Sequence, residues 1–386
     1  MNQSRLATRK YYSLPDPLPL WRGGSLSSVT LAYETWGRLS PGADNAVLIL
    51  HALTGDSHAA GLPSDSDRKP GWWNPLIGPG CAFDTDRFFV VCSNVLGGCQ
   101  GSTGPCTTNS ESDAPYTTDF PVVTIQDMVR AQRALFDGLG IRRLAAVAGG
   151  SIGGQQALEW VLRYPDDVDA ALLFGASERI GPQAVSFNHV GRSAIMLDPA
   201  WREGRYNPGE GPSAGLAVAR MTAMITYQSQ QSMWMRFGRF PTSRSASPDR
   251  FGEKFDVESY LDYQGASLST RFDANSYLYL TRAMDLYDAT EGYESEEEAL
   301  RRVRARTLHV GINSDWLYPP GDVRATSEKL RALGKDACYR EIDSVHGHDS
   351  FLKEWERMTE LITEFLPAAS STQPRTAEKR AYATGE

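Results

Sequence analysis

Leu144-Ala-Ala-Val-Ala-Gly-Gly-Ser-Ile-Gly-Gly154 joins a strand pattern to a helix pattern through a turn of four glycines and a serine. The first five residues are small or apolar and read as a buried strand; a helical pattern follows through Leu162. Gly149-Gly-Ser-Ile-Gly153 is a G-x-S-x-G placed at the strand-to-helix junction, the context a nucleophile turn requires. A turn this sharp imposes strained dihedrals on Ser151, and the flanking glycines remove side chains that would clash. The hydroxyl then projects above the sheet, near the positive end of the helix. Ser151 is therefore expected to be a nucleophile rather than a turn serine.

Similar apolar runs lie on both sides. Ala46-Val-Leu-Ile-Leu50, Phe88-Phe-Val-Val-Cys92, Ala170-Ala-Leu-Leu-Phe174, Thr307 to Gly311 and Cys338 to Ile342 all read as strands. Thr124 caps a helix with Asp127 in its first turn, Met128, Val129, Leu135, Phe136 and Leu139 form its apolar stripe, and Gly140 stops it. Further helical patterns run from Asp322 to Leu333 and through Phe351, Trp355, Met358, Ile362 and Phe365. Wholly apolar strands alternating with helices predict the α/β class, with a mostly parallel central sheet covered on both faces. Residues 178–300 break this rhythm. Their stripes, such as Leu216, Ala219, Met221, Met224 and Ile225, are helical, so a helical lid insertion over the carboxyl edge of the sheet is expected. The expected organisation is a core from 1–177 and 301–366, a lid at 178–300, and a disordered tail at 367–386.

The 386 residues exceed one average domain, and 41% hydrophobic content supports a large core. Thirty-nine basic against 47 acidic residues give a net charge of −8, which argues against nucleic acid or an anionic membrane as partner. No apolar run reaches a membrane-spanning length, and a cytoplasmic location is expected. None of the five cysteines forms a CxxC, and the six histidines do not join them at zinc spacing. Neither a disulfide framework nor a metal centre is expected.

A serine nucleophile needs a base, and the base an orienting carboxylate, in the chain order serine, acid, histidine. Asp315 stands just past the strand Leu308 to Ile312, where the acid belongs. His346 and His348 both follow the next strand, and spacing does not choose between them. His309 lies inside a strand and reads as a packed residue. The backbone N–H groups of Leu53, in the turn after Leu50, and of Ile152 are the expected oxyanion donors.

With these residues in view, the chain resembles the homoserine O-acetyltransferase (MetX-type) family of the α/β-hydrolase fold. The likeness rests on Leu50-His-Ala-Leu-Thr-Gly55, Gly71-Trp-Trp73, Gly78-Pro-Gly80, Asn94 to Pro105 and Gly149 to Gly154. It continues in Val257-Glu-Ser-Tyr-Leu261, Arg271 to Leu278, Ser314-Asp315 and Gly347-His-Asp-Ser-Phe-Leu352. The resemblance implies His348 as base, Asp315 as triad acid and Ser151 as nucleophile. It also implies that Arg220 binds the homoserine carboxylate, Asp349 its amino group, and that Tyr227 contacts substrate. The chain departs from the family at Gln228, where Arg is common, and at Ile152, where Met is frequent. The implied activity is ping-pong transfer of acetyl from acetyl-CoA to L-homoserine in methionine biosynthesis. No metal or bound cofactor is implied, acetyl-CoA being a substrate, and a homodimer through the helical insertion is. The alternatives are an O-succinyltransferase acting on homoserine or serine, and an esterase using the same triad with water.

Overall fold

The computed structural model describes residues 7–63, 69–207, 209–242 and 254–366. The expected tail at 367–386 lies outside the described residues. Eight strands form the central sheet: β1 (Lys10–Ser13), β2 (Thr30–Trp36), β3 (Ala46–Leu50), β4 (Phe89–Ser93), β5 (Leu144–Gly150), β6 (Ala170–Phe174), β7 (Arg306–Ile312) and β8 (Ala337–Ile342). Their order across the sheet is β1-β2-β4-β3-β5-β6-β7-β8. Strands β2 to β4 and β1 to β2 pair antiparallel; all other neighbours are parallel.

The apolar runs are explained by two cores, one on each face. Leu48, Leu50, Val147 and Leu173 pack on one side, and Val47, Ile49, Ala148, Leu172 and Val310 on the other. Because successive side chains alternate and both faces are covered, every position on β3 and β6 must be apolar. Helix α1 (Ile125–Gly138) starts with a reciprocal cap: Asp127 N donates to Thr124 Oγ1, and Thr124 N donates to Asp127 Oδ2 at 2.8 Å. Helix α2 (Ile152–Arg163) follows β5 directly.

Between β6 and β7 the described residues form helices: α3 (Pro182–Leu197), α4 (Ser213–Thr226), α5 (Gln230–Phe237), α6 (Asp256–Ser269), α7 (Ala274–Leu286) and α8 (Glu296–Arg301). Helices α9 (Pro320–Ala332) and α10 (Trp355–Phe365) complete the core.

Two features depart from the sequence expectation. Strands β1 and β2 carry no wholly apolar run, since Glu34 and two threonines interrupt β2. Glu34 is nonetheless buried, because His58 Nδ1 meets its carboxylate at 2.8 Å. Phe351, assigned by spacing to the last helix, lies instead in a 3-10 turn, Gly347–Leu352. Its ring fills the space beside Gly150, where a Cβ would stand 2.5 Å from Phe351 Cε2.

A close backbone approach lies between α2 and β3. A Cβ on Gly153 would overlap the carbonyl oxygen of Leu50. Gly153→Ala is expected to lower unfolding free energy by about 2 kcal/mol or more, measured by urea denaturation, because backbone must move to admit the methyl. A variant as stable as the parent would show that this contact does not constrain the fold.

Candidate active site

Ser151 sits between β5 and α2 with φ 59° and ψ −127°, a conformation that side-chain-bearing residues rarely adopt. Its N–H donates to Phe174 O at 2.9 Å, and its own carbonyl accepts from Gln155 N at 3.0 Å. These bonds lock the turn between two neighbouring strands and the new helix.

Asp315 lies just beyond β7, and His348 lies in the 3-10 turn after β8. Asp315 Oδ2 accepts from His348 Nδ1 at 2.7 Å, while its Oδ1 accepts from the N–H groups of Leu317 and Tyr318, both at 2.9 Å. A carboxylate only accepts, so the imidazole proton resides on Nδ1 and Nε2 is left as an acceptor. That Nε2 is buried and has no hydrogen-bond partner among the described residues. His346 stands apart, its side chain 39% exposed and 3.9 Å from Glu354. Of the two histidines that spacing left open, only His348 is paired with Asp315. His309 is fully buried in β7, where burial pushes it down to about 4.

The His348 ring is held on three sides. Tyr318 stacks on it with centroids 5.1 Å apart, Phe351 meets it edge-on at 5.4 Å, and Tyr227 lies 5.9 Å away. The Tyr318 hydroxyl approaches the Ser151 side chain, and burial pushes that hydroxyl well above its ordinary range. Gly175, with φ +51°, ends β6 under the pair. A Cβ there would come within 3.2–3.3 Å of His348 Cε1 and Asp315 Oδ2.

The turn after β3 carries Leu53. His51 braces this turn: its Nε2 accepts from Val95 N at 3.1 Å, and its Nδ1 donates to Ala52 O at 2.8 Å. Burial lowers the His51 pKa and so favours the neutral ring this bonding needs. Neither the Leu53 N–H nor the Ile152 N–H has a hydrogen-bond acceptor among the described residues. Leu53 and Ser151 line the same narrow cavity, with Asn188, Tyr227, Tyr277 and Tyr318 among its other walls.

Arg220, on α4, reaches Thr54 Oγ1 at 3.4 Å, and its Nε is buried without a partner among the described residues. Its guanidinium lies 5.8 Å from the Tyr227 ring centroid. Burial raises the Tyr227 pKa, with Arg220 opposing that rise and Asp349 adding to it. Tyr227 thus feels a cation and an anion, and that anion is itself paired with Lys353 Nζ at 3.5 Å. The backbone ties them together, since Asp349 N donates to Tyr227 O at 3.1 Å. Gln228 points elsewhere: its amide bonds Met224 O, Tyr260 and Arg236, outside the Ser151 cavity. The missing charge at Gln228 therefore says little about the acyl group.

Sequence reasoning missed His51, Gly175 and Tyr318. His51 lies within the Leu50–Gly55 segment, and Gly175 directly follows an apolar run, so both had a local signal. Tyr318 had none, because its role depends on the loop after β7 folding back over His348.

A serine turn backed by a buried acid–histidine pair, at the carboxyl edge of this sheet, defines an α/β-hydrolase-fold protein. A family model described as the alpha/beta hydrolase fold matches residues 45–354. A homoserine O-acetyltransferase of Symbiobacterium thermophilum is 54% identical over 353 residues, covering 91% of this chain and 92% of its own. The crystal structure of homoserine O-acetyltransferase from Bacillus anthracis superposes with a TM-score of 0.89 at 30% identity, covering 96% of this chain and all of that one. The structure of esterase E22 gives 0.86 at 28% identity, over 94% of this chain and all of its own. The chain belongs to the homoserine O-acetyltransferase family of the α/β-hydrolase fold.

The two histidines provide a test that needs no substrate. A fluorophosphonate probe should label Ser151 in the parent, and His348→Ala should slow labelling by about a hundredfold or more. His346→Ala should label at close to the parent rate. The opposite ranking would show that the base is His346.

Proposed function

We infer that this protein transfers the acetyl group of acetyl-CoA to the hydroxyl of L-homoserine, a step of methionine biosynthesis. One observation beyond the family relationship supports this most directly: Arg220 and Asp349 flank Tyr227 beside the buried His348–Asp315 pair. An amino acid carries one anion and one cation, and a guanidinium matches its carboxylate with a two-pronged fork.

In the first half-reaction Ser151 Oγ attacks the thioester carbonyl as His348 Nε2 takes its proton. The Leu53 and Ile152 N–H groups hold the oxyanion. The carbon–sulfur bond then breaks, and His348 returns the proton to the departing CoA sulfur. In the second half-reaction the homoserine hydroxyl gives its proton to His348 and attacks the acetyl-serine. The Ser151 oxygen leaves and recovers that proton. Asp315 stabilises the transient imidazolium in both halves. The serine is acylated directly, so the chemistry calls for no resident metal or organic cofactor.

An esterase is the second reading, favoured by the likeness to esterase E22. It would use the same serine, acid and histidine with water as acceptor. Thiol release from acetyl-CoA, followed with and without homoserine, separates the two. Homoserine-dependent release with O-acetylhomoserine as product supports transfer; release indifferent to homoserine supports hydrolysis. Mass spectrometry after acetyl-CoA alone should find the acetyl adduct on the Ser151 peptide, and Ser151→Ala should abolish both adduct and turnover. An adduct elsewhere would overturn the assignment of Ser151.

The working unit is a cytoplasmic homodimer assembled through the lid. Exposed large apolar side chains among the described residues concentrate there, including Leu197 (81%), Trp234, Met235 and Phe240, with Tyr11 and Val122 the exceptions in the core. Large apolar side chains left exposed in one part of the chain support an interface there. Light scattering should give the mass of two chains, and Leu197→Asp with Trp234→Asp should give that of one. A monomeric parent would overturn the dimer.

A further inference from the structure

The cavity above Ser151 has an inner wall made by α3 and α7. Asn188 of α3 lines it, as do Tyr277 and Met284 of α7. Behind this wall lies a buried ion pair, Arg192 Nη2 to Asp285 Oδ2 at 2.5 Å, with side chains 6% and 4% exposed. Asn188 Nδ2 donates to the other carboxylate oxygen, Asp285 Oδ1, at 2.8 Å. Since a carboxylate only accepts, this bond fixes the Asn188 amide with its NH2 group turned to Asp285. Arg192 Nη1 is buried and has no acceptor among the described residues. The Tyr277 hydroxyl, on the cavity wall, lies within electrostatic reach of both Arg192 and Arg220.

A buried pair like this is poorly explained by stability, because the cost of removing two charges from water offsets most of their attraction. Its position suggests a role in choosing the acyl group. An acyl chain ending in a carboxylate needs a cation or several donors in a dry pocket. No charged side chain lines the cavity. Arg220 is assigned to the carboxylate of homoserine; the wall itself offers the Asn188 amide and tyrosine hydroxyls, and Arg192 is the cation behind it. Asp285 holds the Asn188 amide and one arm of the Arg192 guanidinium, Nη2, while Nη1 is without an acceptor among the described residues.

We propose that Asp285 is a specificity-determining residue: an internal carboxylate that takes the two donors, Arg192 and Asn188, which a succinyl carboxylate would otherwise use. It thereby confines the donor to neutral acyl groups. Asp285 touches no reacting atom and acts through Asn188 and Arg192. This rests on the acyl-transfer function proposed above.

The test is the ratio of kcat/KM for succinyl-CoA to that for acetyl-CoA, with homoserine as acceptor. Asp285→Ala vacates the carboxylate and should raise this ratio by about tenfold or more, in keeping with what an uncompensated buried charge gains from a partner. Asp285→Glu keeps the carboxylate and should leave the ratio low. Arg192→Leu combined with Asp285→Leu removes the cation as well and should also leave it low, which a merely loosened pocket would not do. An unchanged ratio in folded Asp285→Ala overturns the proposal, as does an equal rise in the double variant. A second measurement needs no variant. Butyryl-CoA carries a neutral acyl group of the same carbon count as succinyl and should be used by the parent about tenfold or more better. Equal rejection of both would show that size excludes succinyl, and would overturn the proposal even if Asp285→Ala failed to fold. A parent that transfers no acyl group from any of these donors to homoserine overturns the underlying function and this inference with it.

Discussion

A backbone-to-backbone contact with no room for a side chain holds the site together. Gly153, in the first turn of α2, lies against the carbonyl of Leu50 at the end of β3, and Gly149 lies against Gly153 in turn. The contact is possible because β3 and β5 are parallel neighbours whose carboxyl ends finish level, with Leu50 paired to Gly149. It brings the turn carrying Leu53 beside Ser151, so that both line one cavity. The φ of 59° at Ser151, a strain of about 1–3 kcal/mol, persists because the strands on either side over-determine it.

Charge in the site is sorted by depth. Asp315 is covered completely and meets three donors, so it faces only the imidazole and two backbone N–H groups. Arg220 and Asp349 stand farther out, near Tyr227, with Asp349 paired to Lys353 Nζ at 3.5 Å. The lid and the core are joined at this level. Trp316 Nε1 donates to Gln228 O at 3.0 Å, Ser229 Oγ donates to Val345 O, and Asp349 N donates to Tyr227 O. The segment 227–229 is thus bonded to both the acid loop and the histidine loop. This coupling ties the helical insertion to the two loops that carry Asp315 and His348.

Strands buried on both faces were legible because burial on both sides favours apolar residues, so β3, β5 and β6 announce themselves within a residue or two, and β7 does so despite buried Thr307 and His309. Strand β2 was not legible, because Glu34 is acceptable there through His58, a residue 24 positions away, with Arg9 at 3.9 Å from its other oxygen. The same limit applies to Phe351, whose helical spacing was real but whose backbone follows the 3-10 turn that carries His348. Local pattern records what a residue needs from its immediate neighbours and is silent on what arrives from far along the chain.

Ser151, Asp315 and the pair of candidate histidines were determined by sequence alone, because a strained turn demands glycines at fixed spacing and a triad follows strand ends in a fixed order. The helical character of the insertion was also written there, as a loss of strand rhythm between 178 and 300. Only the tertiary structure decided which histidine meets Asp315, since His346 and His348 differ by two residues along a turn whose direction is set by Tyr227, Gln228 and Ser229 of the lid. Only it joined Asn188, Arg192 and Asp285, because the pairing of α3 with α7 brings together residues nearly a hundred positions apart. A side chain's chemistry is fixed by its type, but its partner is fixed by packing, and packing is a property of the whole chain.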